Sequence, residues 1–159
     1  ILQKENFKVD AVQNHFSLLN RSSESSGILD YCKANEIKFF AYMVLEQGAL
    51  SGKYDTKNPF PEGSDRAKSY NPILPQLEEL IGVMKKIGEK NNLSVAQVGT
   101  VWAINKGNLP IVGVTKIHHV EDLKKILDIK LSEEEFAELE NFADKANVST
   151  IREWEKKME

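Results

Sequence analysis

Cysteine is nearly absent from this chain. The single Cys32 excludes an internal disulfide framework and fits a reducing cytoplasm. Long apolar runs are missing too: none approaches the roughly 20 residues of a membrane-spanning helix, and no stretch reads as a signal peptide. No membrane partner is expected. Basic charge is not in excess, with 21 Lys and Arg against 24 Asp and Glu and a net charge of −3. A nucleic-acid footprint or a polybasic patch needs the opposite balance, so no nucleic acid is expected either. There is no internal repeat and no low-complexity tract. His118 and His119 are adjacent, but neighbouring helical residues point about 100° apart. No Cys or spaced carboxylate set accompanies them, so no metal centre is expected.

What is present is an alternation of short strands and amphipathic helices. Residues 1–7 read as a helix end, and the chain, starting at Ile1, reads as the C-terminal part of a longer protein. Asp10 to Phe16 alternates as a strand does. Residues 24–35 suit a helix with Ile28, Leu29 and Cys32 on one face, and Ile37 to Tyr42 is a second strand. Residues 43–72 read as a long connection punctuated by Gly48, Gly52, Asn58-Pro59 and Gly63; loops of that length usually carry function or are disordered. Ile73 to Asn91 carries the stripe Leu77, Leu80, Ile81, Met84 and Ile87. Ser94 with Gln97 forms a capping box that opens a helix to Asn105, closed by Gly107. Pro110 to Gly113 is a third strand, and a helix follows from about His118 to Ile126. Ser132 with Glu135 opens a last helix striped by Phe136, Leu139, Phe142 and Ala143. Cys32 and Trp102 read as packing residues and Trp154 as part of a charged tail. The order of elements predicts an α/β fold with parallel strands and right-handed crossovers.

Function in such folds gathers at the C-terminal ends of strands. The second strand ends in Tyr42-Met43-Val44-Leu45-Glu46-Gln47-Gly48-Ala49-Leu50-Ser51-Gly52-Lys53-Tyr54. Two glycines and a lysine can bring backbone N–H groups and charge to an anion, although the spacing is not that of a Walker A loop. This string closely resembles the seventh strand and following loop of the aldo/keto reductases, where aromatic-Ser-Pro-Leu-x-x-Gly-x-Leu-x-Gly-Lys-Tyr is usual. Met43-Val44 replaces the family's Ser-Pro and removes a hydroxyl. Phe16-Ser17-Leu18-Leu19-Asn20-Arg21 resembles the family's Tyr-Ser-Leu-Leu-x-Arg.

The resemblance implies a partial TIM (β/α)8 barrel: its C-terminal half as one truncated domain over residues 1–159, with about three parallel strands and flanking helices. A closed barrel needs about 250 residues. It also implies NADPH as cofactor and a small carbonyl compound as substrate. Gln13 takes the place of the residue that hydrogen-bonds the nicotinamide carboxamide, and Tyr42 that of the ring stacked on the nicotinamide. Leu45, Gly48 and Lys53 would follow the pyrophosphate. Thr115, Lys116 and His119 would serve the adenosine 2′-phosphate, and Asp122 the adenine amine; Leu123 replaces the usual Asn. Gln13 also reads as an ordinary polar strand end, Tyr42 as a core ring, and His118 as a solvated helix start. The family's Asp, Tyr, Lys and His tetrad comes from strands that have no counterpart here, so no catalytic residue is assigned and the chain alone is expected to be inactive. Its open edges predict self-association. The alternative is a non-catalytic half-barrel acting as an assembly or binding module.

Overall fold

The structure, a computed structural model, describes residues 7–152 and Glu155. The expected helix end at residues 1–7, apart from Phe7, and Trp154 in the tail lie outside the described residues. Three parallel strands form the sheet: β1 (Ala11–His15), β2 (Lys38–Tyr42) and β3 (Leu109–Pro110), in the order β1-β2-β3. Gln13 stands opposite Phe40 and His15 opposite Tyr42. These four side chains therefore share one face, while Val12, Asn14, Phe39 and Ala41 share the other. Phe39 and Ala41 are buried in the main core, which fixes the second face as the one covered by helices.

The helices are α1 (Ser22–Ser25), α2 (Ile28–Ala34), α3 (Asp65–Tyr70), α4 (Leu74–Asn91), α5 (Val95–Asn105), α6 (Ile117–Lys124) and α7 (Glu133–Ala146). The stripe of α4 is buried at Leu77, Leu80, Met84 and Ile87. Both predicted capping boxes are formed, at Ser94–Gln97 and Ser132–Glu135. Trp102 stacks on Phe16 with ring centres 5.2 Å apart, and Phe16 meets Phe39 edge-on at 5.8 Å. Cys32 is buried in this core, and burial pushes its thiol pKa up, as suits a packing residue.

Three readings of the sequence need correction. The helix expected over 24–35 is two helices, because Gly27 adopts a left-handed backbone (φ 77°) between them. Leu29 and Cys32 face the core, whereas Ile28 is exposed. The third strand is shorter than Pro110 to Gly113, with one further sheet bond from the Ile111 N–H to the Ala41 carbonyl. The connection 43–72 is not a bare loop: it holds a 3-10 turn (Glu46–Ser51), α3 and a second aromatic cluster of Tyr54, Phe60 and Tyr70. No helix among the described residues is long and apolar enough to cross a membrane.

Candidate functional site

After β2 the backbone turns through left-handed conformations at Met43 (φ 61°), Glu46 (φ 47°) and Gln47 (φ 51°). Such residues cost on the order of 1–3 kcal/mol each unless their surroundings hold them. The Glu46 carboxylate does the holding. It is 0 % exposed and accepts from four side chains: His15 Nε2 at 2.8 Å, Ser17 Oγ at 2.5 Å, Tyr70 OH at 2.9 Å and Thr150 Oγ1 at 2.9 Å. A buried carboxylate stripped of such donors would be strongly unfavourable. On its other side His15 Nδ1 meets Glu155 Oε1 at 3.1 Å. Burial alone would lower the His15 pKa, but the hydrogen bonds and charges of Glu46 and Glu155 outweigh it and raise the imidazole above its ordinary value.

Glu155 also accepts from the Tyr42 hydroxyl at 2.5 Å and from the Arg152 backbone N–H at 2.6 Å. Burial opposes its ionisation. The Arg152 N–H, the Tyr42 hydroxyl and His15 prevail, holding the carboxyl below its ordinary range. The Tyr42 and Tyr70 hydroxyls move far up, first through burial and then through Glu155 and Glu46 respectively. A phenol held so firmly protonated suits a packed ring, not a general acid.

This loop forms one wall of a cavity of about 540 Å³. Leu45, Gly48 and Lys53 line that wall, and Thr115, Lys116, His119 and Asp122 line the opposite one. Seven of the nine residues singled out from sequence therefore meet at one cavity, although more than sixty positions separate Lys53 from Thr115. Gln13 and Tyr42 do not line it. Gln13 is exposed on β1; Tyr42 borders an adjoining cavity of about 530 Å³, which meets the first at Gln47.

The far wall is the start of α6. Lys116, at the N-cap position, provides no side-chain cap, and the first turn contains no acidic residue. Apart from the His119 N–H, which donates to the Lys116 carbonyl at 3.0 Å, the leading N–H groups and the helix's partial positive charge are thus left for an anion. His119 Nδ1 accepts from the Thr115 N–H at 3.3 Å. The Asp122 carboxylate pairs with Lys125 at 3.1 Å, and its carbonyl accepts from Gln97 Nε2 at 2.9 Å. Arg66 of α3 also lines the cavity, a cation the sequence reading missed. It lies inside the stretch taken for loop, and only the Ser64 cap, which accepts from the Ala67 N–H at 3.1 Å, signals the helix that presents it. Lys53, Arg66 and Lys116 thus oppose one carboxylate, already paired. An uncapped helix start among three cations could hold an anionic group such as a phosphate. Among the described residues there is no metal-binding cluster.

Residues 1–144 match the aldo/keto reductase family. The chain is 34 % identical over 142 residues to "Pyridoxal reductase, chloroplastic" of Arabidopsis thaliana, covering 89 % of this chain and 38 % of that protein. It is 29 % identical over 153 residues to "Aldo-keto reductase yakc [NADP(+)]" of Schizosaccharomyces pombe, covering 92 % and 45 %. The solved glycerol dehydrogenase of Gluconobacter oxydans shares the fold, with a TM-score of 0.80 at 22 % identity over 94 % of this chain and 47 % of its own. The chain spans less than half the length of each of these relatives. Three parallel strands with their flanking helices, and a family match along most of the sequence, lead to one conclusion: this chain belongs to the aldo/keto reductase family, with the fold of part of that family's barrel.

Proposed function

We propose that this chain is the cofactor-binding C-terminal part, residues 1–159, of an NADPH-dependent carbonyl reductase. The observation that carries the reading is the cavity in which Leu45, Gly48 and Lys53 face Thr115, Lys116, His119 and Asp122. Lys116 and the α6 N-terminus would take the 2′-phosphate, Lys53 and Arg66 the pyrophosphate, and Gln13 and Tyr42 the nicotinamide end. When bound there, the cofactor supplies hydride for an aldehyde or ketone. This chain's own residues bind and orient: Glu46 fixes the loop, Tyr42 offers a flat face, and Lys116 selects phosphate over hydroxyl. The proton donor and its activating lysine belong to strands outside this chain, so the chain alone carries no turnover. Cys32, free and buried, suits a cytoplasmic setting. The open sheet edges favour self-association.

The test is turnover by the purified chain. NADPH is supplied with a panel of aldehydes, including nitrobenzaldehyde, and the nicotinamide absorbance is followed. No consumption above background is expected. Turnover that persists through repurification would overturn the claim that the catalytic groups lie elsewhere, and would favour a chemistry using the His15, Glu46 and Tyr42 cluster.

A further inference from the structure

The second cavity, bordered by Tyr42 and joined to the first at Gln47, has a distinct electrostatic character. Among the described residues Arg152 is its one charged lining residue, and no acidic side chain lines it. The guanidinium is fixed from behind. Nη1 donates to Ser69 Oγ at 3.1 Å and Nη2 to the Tyr70 hydroxyl at 2.7 Å, with the group 5.2 Å from the centre of the Tyr70 ring. The Tyr70 hydroxyl cannot turn away, because it donates its own proton to the buried Glu46. Glu46 therefore reaches Arg152 only through that hydroxyl. Among the described residues no carboxylate forms a direct ion pair with Arg152. A guanidinium has five N–H donors, so three remain for a ligand.

We propose that this cavity binds the carboxylate of an acidic carbonyl substrate, with Arg152 as the specificity-determining residue. The proposal rests on reading the neighbouring cavity as the cofactor's, since Tyr42 and Gln47 then set the reacting end of the substrate beside the nicotinamide. A neutral substrate would cover the remaining donors of Arg152 without replacing the water they lose. A carboxylate matches the planar fork with charge-assisted hydrogen bonds. Met43, Ser149 and Thr150 complete a wall with room for a small ring or short chain.

The test compares 4-acetylbenzoate with its neutral counterpart 4-acetylbenzamide. Binding to the 159-residue chain is followed by ligand-observed NMR, and NADP+ binding to the same samples is measured by calorimetry. The acid is expected to bind about tenfold tighter than the amide. Arg152→Gln should abolish that preference, and Arg152→Lys should keep part of it. Equal binding of acid and amide, displacement of the acid by equimolar inorganic phosphate, or an undiminished preference in Arg152→Gln would overturn the proposal. NADP+ binding separates the two readings. If it persists without the acid preference, this inference alone fails; if it is absent, the cofactor reading fails. Should Arg152→Gln not fold, the comparison in the unsubstituted chain remains decisive.

Discussion

Glu46 shows how one residue converts a strained loop into a fixed surface. Its four donors come from β1, from the turn after β1, from α3 and from the segment after α7. They tie the loop after β2 to distant parts of the chain. Nothing in the sequence announced this: Glu46 occupies a position where the family pattern tolerates any residue, and its partners lie 24 to 104 positions away. The predicted cofactor residues were legible because they fall in short local strings at strand ends. The network that holds them was not, because it forms only through tertiary packing. The His15 imidazole, raised above its ordinary value, faces Glu46, Glu155 and the ring of Tyr42. Its contribution to stability is fully present below the unfolded value of about 6.5 and is lost as pH rises through the raised pKa. The lowered Glu155 contributes above its unfolded value and loses that contribution as pH falls through its folded pKa. Both contributions are therefore complete only between the ordinary carboxylate and imidazole ranges. NMR titration should place His15 above 6.5, and thermal melts should fall more steeply on the alkaline side for the unsubstituted chain than for His15→Gln. A His15 midpoint at or below 6.5 would contradict the network.

Among the elements, those that open on a capping box and carry a long apolar stripe were readable, and the short ones were not. Ser94 and Ser132 cap their helices through partners three residues on, a signal contained in the sequence itself. The left-handed break at Gly27 and the helix α3, which only its Ser64 cap signals, escaped a reading built on apolar periodicity. The corner between α4 and α5 shows both cases. Asn92 closes α4 in a left-handed conformation, and the chain turns back so tightly that the Leu93 carbonyl oxygen would lie 2.4 Å from a Cβ at Gly88. The Leu93 N–H meanwhile donates to the Gly88 carbonyl at 2.7 Å. Both contacts are backbone, so neither yields to a rotamer change. Gly88→Ala should cost about 1–3 kcal/mol despite alanine's better helix propensity, while Gly82→Ala, with open space around it, should be neutral or stabilising. Denaturant midpoints decide this; equal effects of the two substitutions would show that the corner relaxes freely.

For the whole molecule, the sheet of the described residues ends at β1 on one side and β3 on the other. Leu109, Ile111 and Val114 are exposed along the β3 side. The buried Asn108 amide has neither its oxygen nor its nitrogen partnered among the described residues, a cost of about 1–3 kcal/mol per group. Unpaired edges with apolar neighbours seek another chain, and a two-fold pairing of edges would cover both. Sedimentation equilibrium at micromolar concentration should give a mass above the 18.0 kDa of one chain. A monodisperse monomer with edge amides exchanging freely would refute this. The sequence revealed these edges only indirectly, through a chain too short to close a barrel. The central claim, that this fold presents a site for a 2′-phosphorylated dinucleotide, is tested most directly by calorimetry with NADP+ and NAD+ on the unsubstituted chain, Lys116→Ala and His118→Ala. NADP+ should bind more tightly than NAD+. Lys116→Ala should weaken NADP+ by about 1.5–3 kcal/mol with little effect on NAD+, and His118→Ala, outside the cavity lining, should change neither appreciably. Equal losses from the two substitutions, or the same loss for both cofactors, would contradict the account.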